Sequence, residues 1–164
     1  MLSLRLLAPS TAAALVVAVA AQAGAQDLAP HRAAYTVTMT ENGKPTGSSS
    51  GTYAYELKLT CDGYVSTQRL QLDLAGGRGS ATTEQQTQMT ESKDGKKLVF
   101  EHRSTTGGRR TSLMKGEATL GDDGSGEARF TEPEGQTVKL PAGTYFPAAI
   151  LRATIRAAKA GENG

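Results

Sequence analysis

Tyr35, Val37 and Met39 alternate with Ala34, Thr36, Thr38 and Thr40, a period of two that gives a strand one apolar and one polar face. Asn42-Gly43 follows, the dipeptide favoured where both central residues of a hairpin turn need positive φ. Pro45 has no N–H to give to a ladder and sets the start of the return strand near Thr46. Gly51, Tyr53, Tyr55, Leu57 and Leu59 then share one face. After the turn at Cys61-Asp62-Gly63, Leu70, Leu72 and Leu74 form the inner face of a third strand. Residues 80–92 are nearly all Thr, Gln, Glu and Ser, and read equally as a solvated strand or a long polar loop. Leu98 and Phe100 continue inward after Asp94-Gly95. Leu113 falls in one strand, Ala118 and Leu120 in another after Gly116. Ala128 with Phe130, and Val138 with Leu140, complete the series.

The period then changes. Pro147 suits the first position of a helix, where a missing N–H costs nothing. Ile150, Leu151, Thr154, Ile155 and Ala158 fall on one helical stripe, with Arg152, Arg156 and Lys159 outside it. Gly161 is the natural residue to end the helix. The pattern predicts a mainly β fold, an antiparallel curled sheet of the open, barrel-like kind, closed by one amphipathic helix. Ile150, Leu151 and Ile155 are expected to pack on the strands.

The first 25 residues have a different character. A short basic start at Arg5, an apolar run from Ala12 to Ala21 and Ala23-Gly24-Ala25 make a secretory signal peptide with cleavage after Ala25. The alternative is an uncleaved anchor, although the run falls short of the roughly 20 residues that a bilayer core requires. Residues 26–164 are then the folded domain, placed in the periplasm, with no transmembrane segment after cleavage.

Composition narrows the chemistry. With 18 Lys+Arg against 16 Asp+Glu the net charge is +2, too small for a nucleic-acid binder driven by counterion release. There are three Phe and no Trp, a thin supply for a core. This fits either a thin-cored β domain or part of a larger one. One Cys excludes an internal disulfide, and two His are too few for a multi-histidine metal site; no metal and no cofactor are expected. Cys61 reads as half of a disulfide with a partner elsewhere, as a free reactive thiol, or as a small buried residue at a strand end. His31 stands ahead of the first strand and is expected in solvent. His102 shares the inward parity of Phe100, but nothing places it beside Cys61 as a nucleophile needs. Asp122-Asp123 and the pair Glu132 and Glu134 look solvated and match no calcium loop. Arg109-Arg110 reads as an exposed turn, with an anionic lipid headgroup as its alternative contact.

Several stretches together carry a resemblance. They are His31-Arg-Ala-Ala-Tyr35, Gly51-Thr-Tyr53, Thr60-Cys-Asp-Gly-Tyr64, Gln68-Arg69, Glu91-Ser-Lys-Asp-Gly95 with Leu98-Val-Phe100, Gly116-Glu-Ala118, and Leu140-Pro-Ala-Gly-Thr-Tyr-Phe-Pro147. In this order and spacing, over most of residues 31–161, the chain resembles the EipB-like cell-envelope-integrity family of alphaproteobacteria. The resemblance implies a β-spiral with helix packed in it and a non-enzymatic periplasmic role. It also implies that Cys61 matches a cysteine bonded, in family members, to a second one near their C-terminus. That second cysteine is absent here, so the domain is expected to be incomplete at its C-terminal end. The expected function is support of the envelope by binding an envelope protein or lipid. The runner-up is a carrier of a lipid or other apolar ligand on a concave face formed by Leu57, Leu59, Leu70, Leu72, Leu98 and Phe100. A helix that plugs this face favours the first, and an open apolar face the second.

Overall fold

The computed structural model describes residues 28–41, 44–76 and 79–161. The signal-peptide reading and the Asn42-Gly43 turn lie outside the described residues. Eight strands run in chain order: β1 (His31–Glu41), β2 (Lys44–Leu59), β3 (Gly63–Gly76), β4 (Gly79–Ser92), β5 (Lys97–Thr106), β6 (Arg109–Leu120), β7 (Gly126–Glu132) and β8 (Thr137–Leu140). Each pairs antiparallel with the next to form one sheet in the order β1 to β8, and α1 (Pro147–Ala160) follows. Among the described residues β1 and β8 are its two open edges.

Several boundaries differ from the sequence reading. β2 begins at Lys44, with Pro45 opposite Thr40 beside a register shift in the edge strand β1. Pairing of β2 with β3 begins only at Ser49, so at Pro45 β2 is locally an edge, where a missing donor is tolerated. Residues 80–92 lie in β4, because fourteen register pairs to β3 satisfy its backbone. Gly116 does not break β6, which runs unbroken through it. A Cβ there would lie 2.3 Å from the Arg129 carbonyl oxygen on β7 and 2.8 Å from the tip of Phe100, so glycine makes room for the neighbouring backbone and for that ring, which meets Phe130 edge-on at 5.3 Å. His31 is not ahead of the first strand but opens it, exposed, with its ring 5.4 Å from that of Tyr55.

The register fixes two faces of opposite character. Leu57 stands opposite Ser66, Ser66 opposite Met89, and Met89 opposite Phe100. One row further toward the same end, Leu59, Tyr64, Glu91, Leu98 and Ala118 line up. This inner face carries α1. The outer face carries the ion pairs Arg32–Glu56, Lys97–Glu117 and Lys115–Glu101. On the inner face from Ala33 on β1 to Ser104 on β5, Glu91 is the one carboxylate or cation other than histidine among the described residues, and Arg109, opposite Thr106, joins this face at its far end.

Two small cores lie under the helix end of this face. Leu28, Leu57, Tyr64 and Ala148 form one, and Ala118, Ala128 and Phe146 the other. At roughly 3.3 Å per residue, the 14–16 residues of β2, β3 and β4 extend for about 46–53 Å, well past a 14-residue helix of about 21 Å. The far end of the inner face is therefore not covered by α1.

Candidate functional site

Helix α1 has no cap of its own. Phe146 occupies the N-cap in an extended conformation without a side-chain hydrogen bond, and the first turn contains no acidic residue. The cap comes from the sheet. Glu91 is 3% exposed, and its Oε2 accepts the N–H of Ala148 at 2.7 Å while Oε1 accepts that of Ala149 at 2.8 Å. A carboxylate at this position satisfies two of the helix's free donors and faces the positive end of its dipole. Burial pushes the Glu91 carboxyl above its ordinary range, opposed by the two N–H donors and by Arg152. The Arg152 guanidinium lies over the Tyr64 ring at 5.5 Å, and its buried Nε has no hydrogen-bond partner among the described residues.

This latch decides which side of α1 meets the sheet. Ala148, the buried residue of the helix, and Arg152 face the strands. Arg152 and Arg156 also share a cleft with Asp94, Asp122 and Asp123. The apolar stripe, expected to pack on the strands, instead forms one wall of an open groove. Ile150, Leu151 and Ile155 remain 49%, 43% and 40% exposed. Leu28, Tyr55 and Leu57 form the opposite wall, and Gln68 and His31 bound a volume of about 720 Å³. That falls within the usual range for small-molecule sites.

The structure splits the face proposed from the sequence. Leu57 lies in the groove, and Leu59 packs beside it on the Leu28 core. Leu98 packs against the Phe146 core, with Phe100 beside Phe130. Leu70 and Leu72 are half-buried further along β3, opposite Gln85 and Thr83. Cys61 is exposed in the β2–β3 turn and unbonded, so the buried-thiol reading does not hold. His102 is half-buried on the inner face, its Nδ1 2.9 Å from Thr87 Oγ1 and its Nε2 3.1 Å from Ser104 Oγ. Both ring nitrogens thus have hydroxyl partners.

The sequence reading missed Glu91, Arg152, Leu28 and Gln68. For Glu91 a signal existed: it has the inward parity of Thr87 and Met89, so a charged side chain there needs a buried partner.

A single antiparallel sheet with a helix laid over one face puts the chain among mainly β, barrel-like proteins. A model of the EipB-like family matches residues 22–164, and the chain belongs to that family. It is 30% identical over 148 residues to the cell envelope integrity protein EipB of Brucella abortus (strain 2308), an alignment covering 87% of this chain and 52% of that protein. Its fold is similar to the crystal structure of a beta-barrel-like protein of domain of unknown function DUF1849 from Brucella abortus. That likeness has a TM-score of 0.74 at 28% identity and covers 84% of this chain and 58% of the other. The chain thus spans about half the length of the curated relative it matches. Among the described residues no helix is long and apolar enough to cross a membrane.

Proposed function

We propose that this protein works in the periplasm as a non-enzymatic binding protein that supports the cell envelope by engaging an envelope component through the groove beside α1. Family membership supplies the setting, and the orientation of the helix carries the proposal. Fully burying a side chain the size of Ile or Leu is worth about 1.5–3 kcal/mol. Here three of them, Ile150, Leu151 and Ile155, stay about half exposed along one stripe facing Leu57. Contiguous apolar surface of this kind marks a binding site. The second reading, a carrier of a lipid or other apolar ligand, is favoured by the size of the groove and by walls that are almost wholly apolar.

The test is genetic. A strain lacking the gene is challenged with detergent and complemented with the wild-type protein or with Ile155→Glu, whose half-exposed position tolerates the charge in the fold. Wild type is expected to restore growth and Ile155→Glu to fail despite normal levels and export. Full rescue by Ile155→Glu overturns the proposal.

A further inference from the structure

We infer that the occupant of the groove is an uncharged amphiphile with a hydroxyl-rich head, its apolar chain lying along Leu57, Ile150, Leu151 and Ile155 and its head resting on the neutral part of the inner face beyond Gln68. This inference rests on the binding role proposed above and specifies the chemistry of what is bound.

The first observation is the continuity of two surfaces of different polarity. Gln68 borders the apolar groove and also accepts a hydrogen bond from Tyr53 Oη at 3.3 Å. It is where the apolar wall ends and a hydrogen-bonding belt begins. The register carries that belt across the sheet, with Gln68 opposite Thr87 and Thr87 opposite His102. In the next row Gln85 stands opposite Ser104. These amide and hydroxyl groups both donate and accept, the capacity that a polyhydroxylated head demands.

The second observation is an aromatic platform at the edge of the belt. The Tyr35 and Tyr53 rings stack at 6.0 Å, and Tyr35 is 57% exposed on the same inner face. Exposed tyrosine faces present a flat apolar surface with a polar rim. The C–H faces of a sugar ring pack on such a surface while its hydroxyls reach neighbouring amides.

The third observation is where the charges lie. Among the described residues the inner face from Glu91 to the Gln85–Ser104 row of β3 to β5 holds no other Asp, Glu, Lys or Arg, and Glu91 is itself engaged by α1; Arg109, opposite Thr106, stands one row further on. Charged side chains such as Arg69, Glu84, Glu101 and Arg103 lie on the opposite parity. A belt of amides and hydroxyls offers no lysine or arginine of its own to a phosphate or carboxylate head, and desolvating an ionic head against it is costly. The complementarity is to a neutral ligand.

The experiment uses the purified protein and isothermal titration calorimetry. The probes are dodecyl maltoside below its micelle-forming concentration, laurate as a charged head on a chain of the same carbon count, and maltose as a head alone. Dodecyl maltoside is expected to bind saturably, at least about tenfold tighter than laurate, and maltose only weakly. Ile155→Glu should weaken dodecyl maltoside about tenfold or more. Gln68→Ala combined with Tyr35→Ala should weaken it about tenfold, on the scale of one or two lost contacts, and leave laurate unchanged. Circular dichroism checks that each variant folds. Equal binding of laurate and maltoside, or indifference to the Gln68 and Tyr35 changes, overturns the assignment of the head while leaving the groove as a binding site. No binding of either amphiphile, together with full genetic rescue by Ile155→Glu, overturns both.

Discussion

Glu91 and Ala148 are separated by 57 residues in the chain and joined by a 2.7 Å hydrogen bond from the helix's backbone N–H to the strand's carboxylate. This one contact orients α1 on the sheet. Replacing Glu91 with Ala leaves two N–H groups without their acceptor in a buried setting. A buried unsatisfied donor costs about 1–3 kcal/mol and a lost helix cap about 1. Glu91→Ala is therefore expected to lower stability by about 2–4 kcal/mol in denaturant unfolding. Glu117→Ala, on the outer face, should change it by less than about 1 kcal/mol. Equal, small effects for both would show that the cap does not hold the helix.

Arg152 follows from the same latch. The sequence places it simply outside the apolar stripe, yet its guanidinium covers Tyr64 and faces Glu91. Arg152→Ala should destabilise more than Arg156→Ala, by about 1 kcal/mol in thermal unfolding. The reverse order would remove Arg152 from the latch.

The pH dependence has a definite sign. Burial raises the Glu91 carboxyl above its ordinary value of 4.5 despite the Ala148 and Ala149 N–H groups and Arg152. A group that binds its proton more tightly in the fold contributes fully below its unfolded pKa, and the contribution is lost as pH rises through the folded value. The carboxylates of Glu56, Asp94, Asp123 and Glu127 are lowered by their hydrogen-bond partners and act in the opposite direction. They cancel when wild type is compared with Glu91→Gln. The wild type's margin in urea midpoint over Glu91→Gln should be greatest near pH 4 and shrink toward neutrality. A margin that grows with pH would contradict this.

Much of the sheet was legible because alternation and hairpin residues are local. Tyr53, Tyr55, Leu57 and Leu59 announce β2, and Pro147 with the apolar stripe announces α1. β4 was ambiguous because its inner face carries Thr83, Gln85 and Thr87, whose partners on β5 are the polar Thr106, Ser104 and His102 rather than a core. Gly116 looked like a break because glycine normally punctuates, whereas here it accommodates the Arg129 backbone and the Phe100 ring. The direction of the stripe was not legible. Amphipathicity shows that a helix has two sides, but which side meets the sheet depends on Glu91, more than fifty residues earlier.

Packing energies should reflect that orientation. Phe146 is 5% exposed and packs with Ala118 and Ala128, so Phe146→Ala is expected to cost about 3–5 kcal/mol. Ile155→Ala, at 40% exposure, should cost less than about 1.5 kcal/mol. A larger loss for Ile155→Ala would mean that the stripe is buried after all.

Cys61 is exposed in its turn. One equivalent of a thiol reagent should label it without denaturant, and Cys61→Ser should leave the unfolding midpoint within about 0.5 kcal/mol of wild type. Labelling that needs denaturant would contradict the exposure.

The most direct test of the account introduces a photoreactive benzoylphenylalanine at position 151, on the groove wall, and in a separate variant at position 117, on the outer face. Cells are irradiated and the purified protein is weighed by mass spectrometry. The account predicts a discrete amphiphile adduct at position 151 and none at position 117. No adduct at 151, or the same adducts at both positions, would contradict the claim that the groove beside α1 is where this protein binds its envelope component.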